Sequence, residues 1–255
     1  MADEKNLEEK SAEALMKLVG IDPEKISDTI SDLIQSGNPS AEISEKNGEV
    51  HLKLTAEATE EKSAKKVLKP VVKEIKSRLG EMIYTTDENE NLENSVVRLL
   101  RENHFTITTA ESCTGGLFTG RLVNVPGTSD ILKEGFITYS DRAKRKYLGV
   151  HRHTLEKYTA VSEATAKEMA KGACAAAKAD CSIAITGYAG PDDGSGTEPV
   201  GLVFIACCVH KKTVVKEFDF NGDRQSIREQ AVTEALSLLR LCLLQYFSEV
   251  TFSKI

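Results

Sequence analysis

Three short segments carry residue types that can do chemistry, and each sits where a strand should give way to a helix or loop. Glu111-Ser112-Cys113-Thr114-Gly115-Gly116 offers a hydroxyl, a thiol and a second hydroxyl, then two glycines at a helix start. Free backbone N–H groups at such a start can hold a phosphate or an oxyanion. The same hexapeptide also suits a tight turn in which Ser112 only caps the helix. The segment from Tyr139 to Lys144 places a phenol at a strand end and a lysine about one turn into the next helix. A lysine is a usable base only when burial or a neighbouring cation lowers its pKa. Arg142, Arg145 and Lys146 supply positive charge nearby, which could attract a phosphate or form an ordinary solvated turn. The third segment, Thr186 to Gly194, is long and glycine-rich; glycine lets backbone approach a ligand closely, but a structural loop has the same composition. No P-loop pattern occurs, and no G-x-G-x-x-G follows a strand.

Hydropathy periodicity supplies the elements that must position these segments. From residue 92 the chain reads as a helix over 93–103, a strand over 105–110, a helix from near Gly115 and a strand over 135–139. Ser140 caps the next helix, Ser162 caps another that runs to about 178, and a strand covers 181–186. Strands over 200–209 and 213–220 are joined by His210-Lys211-Lys212, short enough for a hairpin. Asn221 or Asp223 caps a long last helix with an apolar stripe of Ile227, Ala231, Ala235, Leu238 and Leu239. Alternating strands and helices imply one sheet with helices on both faces, and the hairpin makes that sheet mixed. The three segments then share the sheet edge at which open α/β folds bind ligands, which predicts a single pocket.

Upstream, residues 1–36 read as a helical segment of two helices, the second opening at Asp22-Pro23 and carrying Ile26, Ile30, Leu33 and Ile34 at helical spacing. Residues 37–91 read as a small βαβ-like linker domain. It has an alternating strand around Val50, Leu52 and Leu54, a charged helix over 58–79 interrupted near Pro70, a short strand at Met82-Ile83-Tyr84, and an acidic stretch at 87–91.

Composition narrows the setting. No run approaches the roughly 18 apolar residues of a membrane helix, and the N-terminus lacks the pattern of a secretory signal. A cytoplasmic protein without membrane partners is expected. The formal charge of −6 argues against a broad nucleic-acid surface. Six cysteines occur without a C-x-x-C pair and read as reduced thiols; adjacent Cys207 and Cys208 should point to opposite faces of their strand. His151 and His153 form a lone H-x-H that reads as a surface turn, so no metal is expected.

Together these features resemble the C-terminal domain of the competence/damage-inducible CinA family, also known as the PncC nicotinamide-nucleotide amidases, over about residues 92–245. The resemblance rests on Ala110 to Gly116, Val125-Pro126-Gly127-Thr128-Ser129, Gly135 to Ser140 with Lys144 and Leu148-Gly149-Val150, and Ala160-Val161-Ser162. It continues through Thr186-Gly187, Ala189-Gly190-Pro191-Asp192, Pro199 to Val203, and Gly222-Asp223-Arg224 with Ile227-Arg228. It implies a three-layer α/β/α domain with a five-stranded mixed sheet of order 2-1-3-4-5, beside the small α+β N-terminal segment. It implies a cofactor-free hydrolysis of the carboxamide of nicotinamide mononucleotide, giving nicotinate mononucleotide and ammonia, and a homo-oligomer. The family's nucleophile falls on Ser112, its base on Lys144, its supporting phenol on Tyr139, and its phosphate or substrate anchor on Arg224. Cys113, Thr114, Gly115, Gly116, Thr186, Gly187, Ala189 and Gly190 fall on the substrate-binding segments. Cys113 is a rival nucleophile, since thiols are intrinsically stronger. Tyr188 and Asp193 depart from many relatives and bear on the substrate. Val19-Gly20-Ile21, Asp32-Leu33-Ile34, Asn38-Pro39 and Glu49 to Leu52 resemble the tail and linker region of full-length CinA, with little of its molybdopterin-binding-like domain. The alternative is a non-catalytic nucleotide-binding or competence-associated interaction module.

Overall fold

The computed structural model describes residues 10–46, 48–191 and 199–252. The chain divides into two units, Met1–Asn91 and Leu92–Ile255. In the first, Ser11–Val19 forms strand β1 where composition predicts a helix. Ala, Leu, Met, Glu and Lys all favour helix locally, but Ala12, Ala14, Met16 and Leu18 alternate and pack into the core. β1 pairs antiparallel with β3 (Glu49–Glu57) along its whole length, from Ser11↔Glu57 to Val19↔Glu49, and that pairing overrides propensity. Helix α1 (Pro23–Ile34) starts at the Asp22-Pro23 signal. β2 (Ser40–Lys46) has only Ala41 and Ile43 turned to the core, too weak an alternation to read in advance. Helix α2 (Ala64–Leu79) starts six residues later than the periodicity predicts, because Thr59 and Lys62 close a turn before it. β4 (Ile83–Thr85) completes a sheet of order β2-β3-β1-β4. The expected helical segment and βαβ-like linker therefore share one antiparallel sheet, in the βαββαβ order of a split-βαβ unit. One core holds Ile26 and Ile30 of α1 and Leu68, Ile75 and Leu79 of α2 against the β1–β3 face.

The second unit runs α3 (Leu92–Glu102), β5 (Ile107–Glu111), α4 (Leu117–Val123), β6 (Leu132–Ile137), α5 (Asp141–Leu148), α6 (Arg152–Tyr158), α7 (Glu163–Ala177), β7 (Cys181–Gly187), β8 (Leu202–Val209), β9 (Lys212–Asp219) and α8 (Arg224–Phe252). Its sheet has the order β6-β5-β7-β8-β9, which is 2-1-3-4-5 counted within the unit. The first three strands are parallel and the last two join antiparallel through the expected hairpin. α7 covers one face through Ala110, Ala184, Ala206 and Cys208. Cys207 on the other face meets Cys242 of α8, while Cys208 meets Cys174 of α7, so the adjacent thiols mark the two sides of a three-layer domain. Helix α6 is a correction: His151 sits at its N-cap, with Nδ1 3.1 Å from a Glu168 carboxylate oxygen, rather than in a plain surface turn. Among the described residues, no helix is long and apolar enough to cross a membrane.

The packing of α5 on α7 is tight at one point. A Cβ on Gly172 would lie 1.8 Å from the Leu148 carbonyl oxygen at the end of α5, a backbone contact with no give. Gly172→Ala should therefore cost about 1–3 kcal/mol of unfolding free energy. Gly120 of α4 has open space around it, so Gly120→Ala should instead gain about 0.5–1 kcal/mol. Urea unfolding of the two variants checks both signs.

Candidate active site

The turn after β5 is built by continuing the sheet one step. The Ser112 N–H donates to Ile185 O at 2.9 Å and the Thr138 N–H to Glu111 O at 2.8 Å, so the serine is held beyond the last rung between β6 and β7. Glu111 is fully buried. Its carboxylate accepts the N–H groups of Gly116 (2.9 Å), Phe118 (3.1 Å) and Thr119 (2.9 Å), and the Thr119 hydroxyl (2.6 Å). These are the orphan donors of the α4 start, and an anion there also meets the favourable end of the helix dipole. Sequence reasoning gave Glu111 no role, although a glutamate immediately before a glycine-rich helix start was the available signal.

That carboxylate changes which N–H groups face a ligand. Gly116 N–H is taken by Glu111, and Gly115 N–H donates to Ser112 O at 3.1 Å. Both glycines have positive φ, +60° and +101°, which an L side chain would strain. Among the described residues, the N–H groups of Cys113 and Thr114 have no oxygen or nitrogen acceptor; they lie beside the Cys113 sulfur. Of the expected run from Cys113 to Gly116, only these two N–H groups are not taken by an oxygen among the described residues. The Thr114 hydroxyl is buried without a hydrogen-bond partner among the described residues. The Cys113 thiol is pushed up to about 11 by burial, and so stays protonated near neutral pH.

Lys144 lies one turn into α5, whose N-cap Ser140 accepts the Ala143 N–H at 3.2 Å. The lysine has no solvent exposure. Its Nζ is 3.1 Å from Ser112 Oγ and 3.0 Å from Thr138 O. Burial lowers its pKa from 10.5, against smaller opposing effects of Asp141 and Cys113. Arg142, Arg145 and Lys146 are exposed, so desolvation rather than neighbouring cations does this work. A carbonyl can only accept, so Thr138 O takes an N–H of the amine. A neutral Lys144 can then turn its lone pair to the Ser112 hydroxyl, which donates.

The other expected residues gather separately. Tyr139 is 65% exposed, and its hydroxyl lies 3.5 Å from an Arg224 nitrogen rather than on Ser112 or Lys144. Arg224 donates to the Gly190 carbonyl and so ties the start of α8 to the third segment. The Thr186 hydroxyl donates to Ala160 O at 2.8 Å. A Cβ on Gly187 would lie 2.6 Å from the Val203 side chain and 2.7 Å from Leu202 O, so this glycine is needed for strand packing. Ala189 is buried. Asp193 and Gly194 lie outside the described residues. Arg228, a turn after Arg224, is a residue the sequence reading gave no role: its Nε donates to Cys113 O at 3.1 Å and a terminal nitrogen to Thr114 O at 2.9 Å.

Comparison with known proteins follows this division. Residues 89–243 match the CinA C-terminal domain, and residues 13–85 match the damage-inducible protein CinA KH domain, so the stretch expected to be linker is similar to a domain. A putative competence-damage inducible protein of Clostridium novyi (strain NT) is 42% identical over 226 residues, covering 88% of this chain and 54% of the relative. A CinA-like protein of Kosmotoga olearia is 44% identical over 231 residues, covering 90% and 56%. The chain thus spans about half the length of these curated relatives. A crystal structure of a CinA superfamily protein from Klebsiella pneumoniae 700603 is 38% identical, with a TM-score of 0.59, and covers 61% of this chain and 99% of that one. The competence/damage inducible protein CihA from Agrobacterium tumefaciens is 38% identical, with a TM-score of 0.57 over 60% of this chain and 93% of that one.

Two measurements test the geometry without any substrate. Glu111→Ala strips the acceptor from three N–H groups and a hydroxyl and should cost more than about 3 kcal/mol; a loss under about 1 kcal/mol would show that water replaces the carboxylate. The Lys144 pKa is lowered in the folded state, so between that value and 10.5 the unfolded chain holds the proton that the native one has lost. Native stability should rise with pH through that window. Lys144→Met should therefore be the more stable protein at neutral pH, and its advantage should shrink as pH rises. An advantage that stays constant with pH contradicts a lowered pKa.

Proposed function

The chain belongs to the CinA family, and from that premise we propose that it is an amidohydrolase that releases ammonia from the carboxamide of nicotinamide mononucleotide. The observation that carries this reading is the buried Lys144 Nζ, 3.1 Å from Ser112 Oγ. Serine is a weak nucleophile until a base takes its proton, and a lysine serves at neutral pH only when desolvated. Both conditions are met by one pair of side chains.

Neutral Lys144 takes the Ser112 proton as Oγ attacks the amide carbon. The carbonyl oxygen becomes an oxyanion, for which the open N–H groups of Cys113 and Thr114 are the available donors. The tetrahedral species collapses as Lys144 returns its proton to the amide nitrogen; the C–N bond breaks and ammonia leaves. A water, deprotonated by the same lysine, then hydrolyses the acyl ester and restores the Ser112 hydroxyl, giving the carboxylate product. As written, the route uses no cofactor. Arg224, beside Tyr139 at the same sheet edge, is suited to a substrate phosphate. In this reading the phenol serves substrate recognition rather than proton transfer. The first unit contains no G-x-x-G, the loop with which KH domains clamp nucleic-acid backbones, so no nucleic-acid partner is proposed.

Ammonia release from nicotinamide mononucleotide, its riboside and nicotinamide tests the proposal; no ammonia from any of them would overturn it in favour of a non-catalytic binding module. Ser112→Ala should lower turnover by at least about a thousandfold while staying folded, and Cys113→Ala should keep most of it. The reverse pattern would move the nucleophile to the thiol. The rate should rise with pH along one ionisation below the ordinary lysine value of 10.5. Lys144→Arg, which cannot deprotonate in this range, should abolish turnover; an active arginine variant refutes the base.

A further inference from the structure

The open N–H groups do not orient themselves. The turn holding them is a run of small residues ending in two positive-φ glycines, where many peptide-plane orientations are accessible. Glu111 fixes the later part of this run through Gly116, Phe118 and Thr119 but touches no N–H of Cys113 or Thr114. The Thr114 N–H is governed from the carbonyl side. In a trans peptide the C=O and the following N–H point in opposite directions, so whatever holds Cys113 O sets the direction of the Thr114 N–H. That partner is Arg228. One guanidinium spans two consecutive carbonyls, Cys113 O at 3.1 Å and Thr114 O at 2.9 Å, and its remaining terminal nitrogen is braced by Gln225 Oε1 at 3.2 Å. With Cys113 O drawn to α8, the Thr114 N–H is turned the other way, and it is one of the two without an oxygen or nitrogen acceptor among the described residues.

We propose that Arg228 is a positioning residue for the oxyanion-binding N–H of Thr114. This rests on the amidase reading and extends it to a residue that contacts the turn only through its carbonyls. The planar guanidinium fork can hold two carbonyls at once, whereas an ammonium is a single point charge that can hold one of them well. Arg228 is also not among the groups that shift Lys144, so its loss should leave proton transfer from Ser112 intact.

The test is steady-state hydrolysis of nicotinamide mononucleotide by Arg228→Gln and Arg228→Lys across pH. An oxyanion exists only after attack, so kcat should fall about 100-fold in Arg228→Gln, with KM within about threefold of the wild type. Arg228→Lys should be intermediate, and the pH midpoint should stay in place in both. A raised KM with kcat unchanged would make Arg228 a ground-state substrate anchor and overturn the proposal. So would a shifted pH midpoint with full kcat at high pH. Failure of the amidase reading is recognised separately, as a wild-type protein that releases no ammonia. In that case amide hydrogen exchange at Thr114 decides the positioning role alone: at least about tenfold faster exchange in Arg228→Gln supports it, and unchanged exchange overturns it.

Discussion

A lysine with no solvent exposure, and with no carboxylate bonded to it among the described residues, sets the terms for the rest of the second unit. Removing an ammonium from water costs several kcal/mol after relaxation, and two neutral acceptors do not return that. Burial therefore lowers the Lys144 pKa from its ordinary value, which favours the amine over the ammonium beside the Ser112 hydroxyl. Everything that places this side chain thereby sets how far it is desolvated: the Ser140 cap that starts α5, the Thr138 carbonyl beside its Nζ, and the contact of Leu148 with Gly172 that leaves α5 no room to slide.

The turn across from the lysine is held from two sides by opposite charges. Glu111 collects N–H groups from inside the sheet, and Arg228 collects C=O groups from α8. Neither is bonded to the other in this arrangement; each is neutralised by backbone dipoles. A short helix such as α4 cannot organise such a turn by propensity, because few residues share the cost of nucleation. Its order is instead imposed by the buried carboxylate at its start and by Arg121, which bonds Glu93 of α3 at 2.6 Å and Thr233 of α8 at 3.0 Å.

The parts of this arrangement that could be read in the sequence are those encoded locally. Cap residues Asp22, Ser140 and Ser162, the apolar strand cores and the β8–β9 hairpin each depend on neighbours in the chain, and the five-stranded order followed from the family resemblance. What escaped was decided across long separations. β1 is written in helix-forming residues and becomes a strand because β3 and β4 pair with it. Arg228 is an unremarkable basic residue on an exposed helix turn until the fold brings the Cys113 and Thr114 carbonyls to it. Tyr139 shows the converse: position in a motif placed it beside Ser112 and Lys144, but the backbone at the end of β6 turns its ring outward to Arg224.

Because the Ser112 N–H bonds to Ile185 O beyond the end of the β5–β7 ladder, the serine has no fixed place until two parallel crossovers have closed, from Ile107 to Leu132 and from Ile107 to Cys181. Parallel pairings of that span are slow steps, since loop-closure entropy is lost before any ladder bond forms. The 15-residue helix α7 can form early from local contacts, but the lysine on α5 gains its neighbour only when the central strand is seated. During refolding, helical signal should therefore recover ahead of the Ser112–Lys144 contact, and that contact becomes a clock for the closing of the sheet's centre.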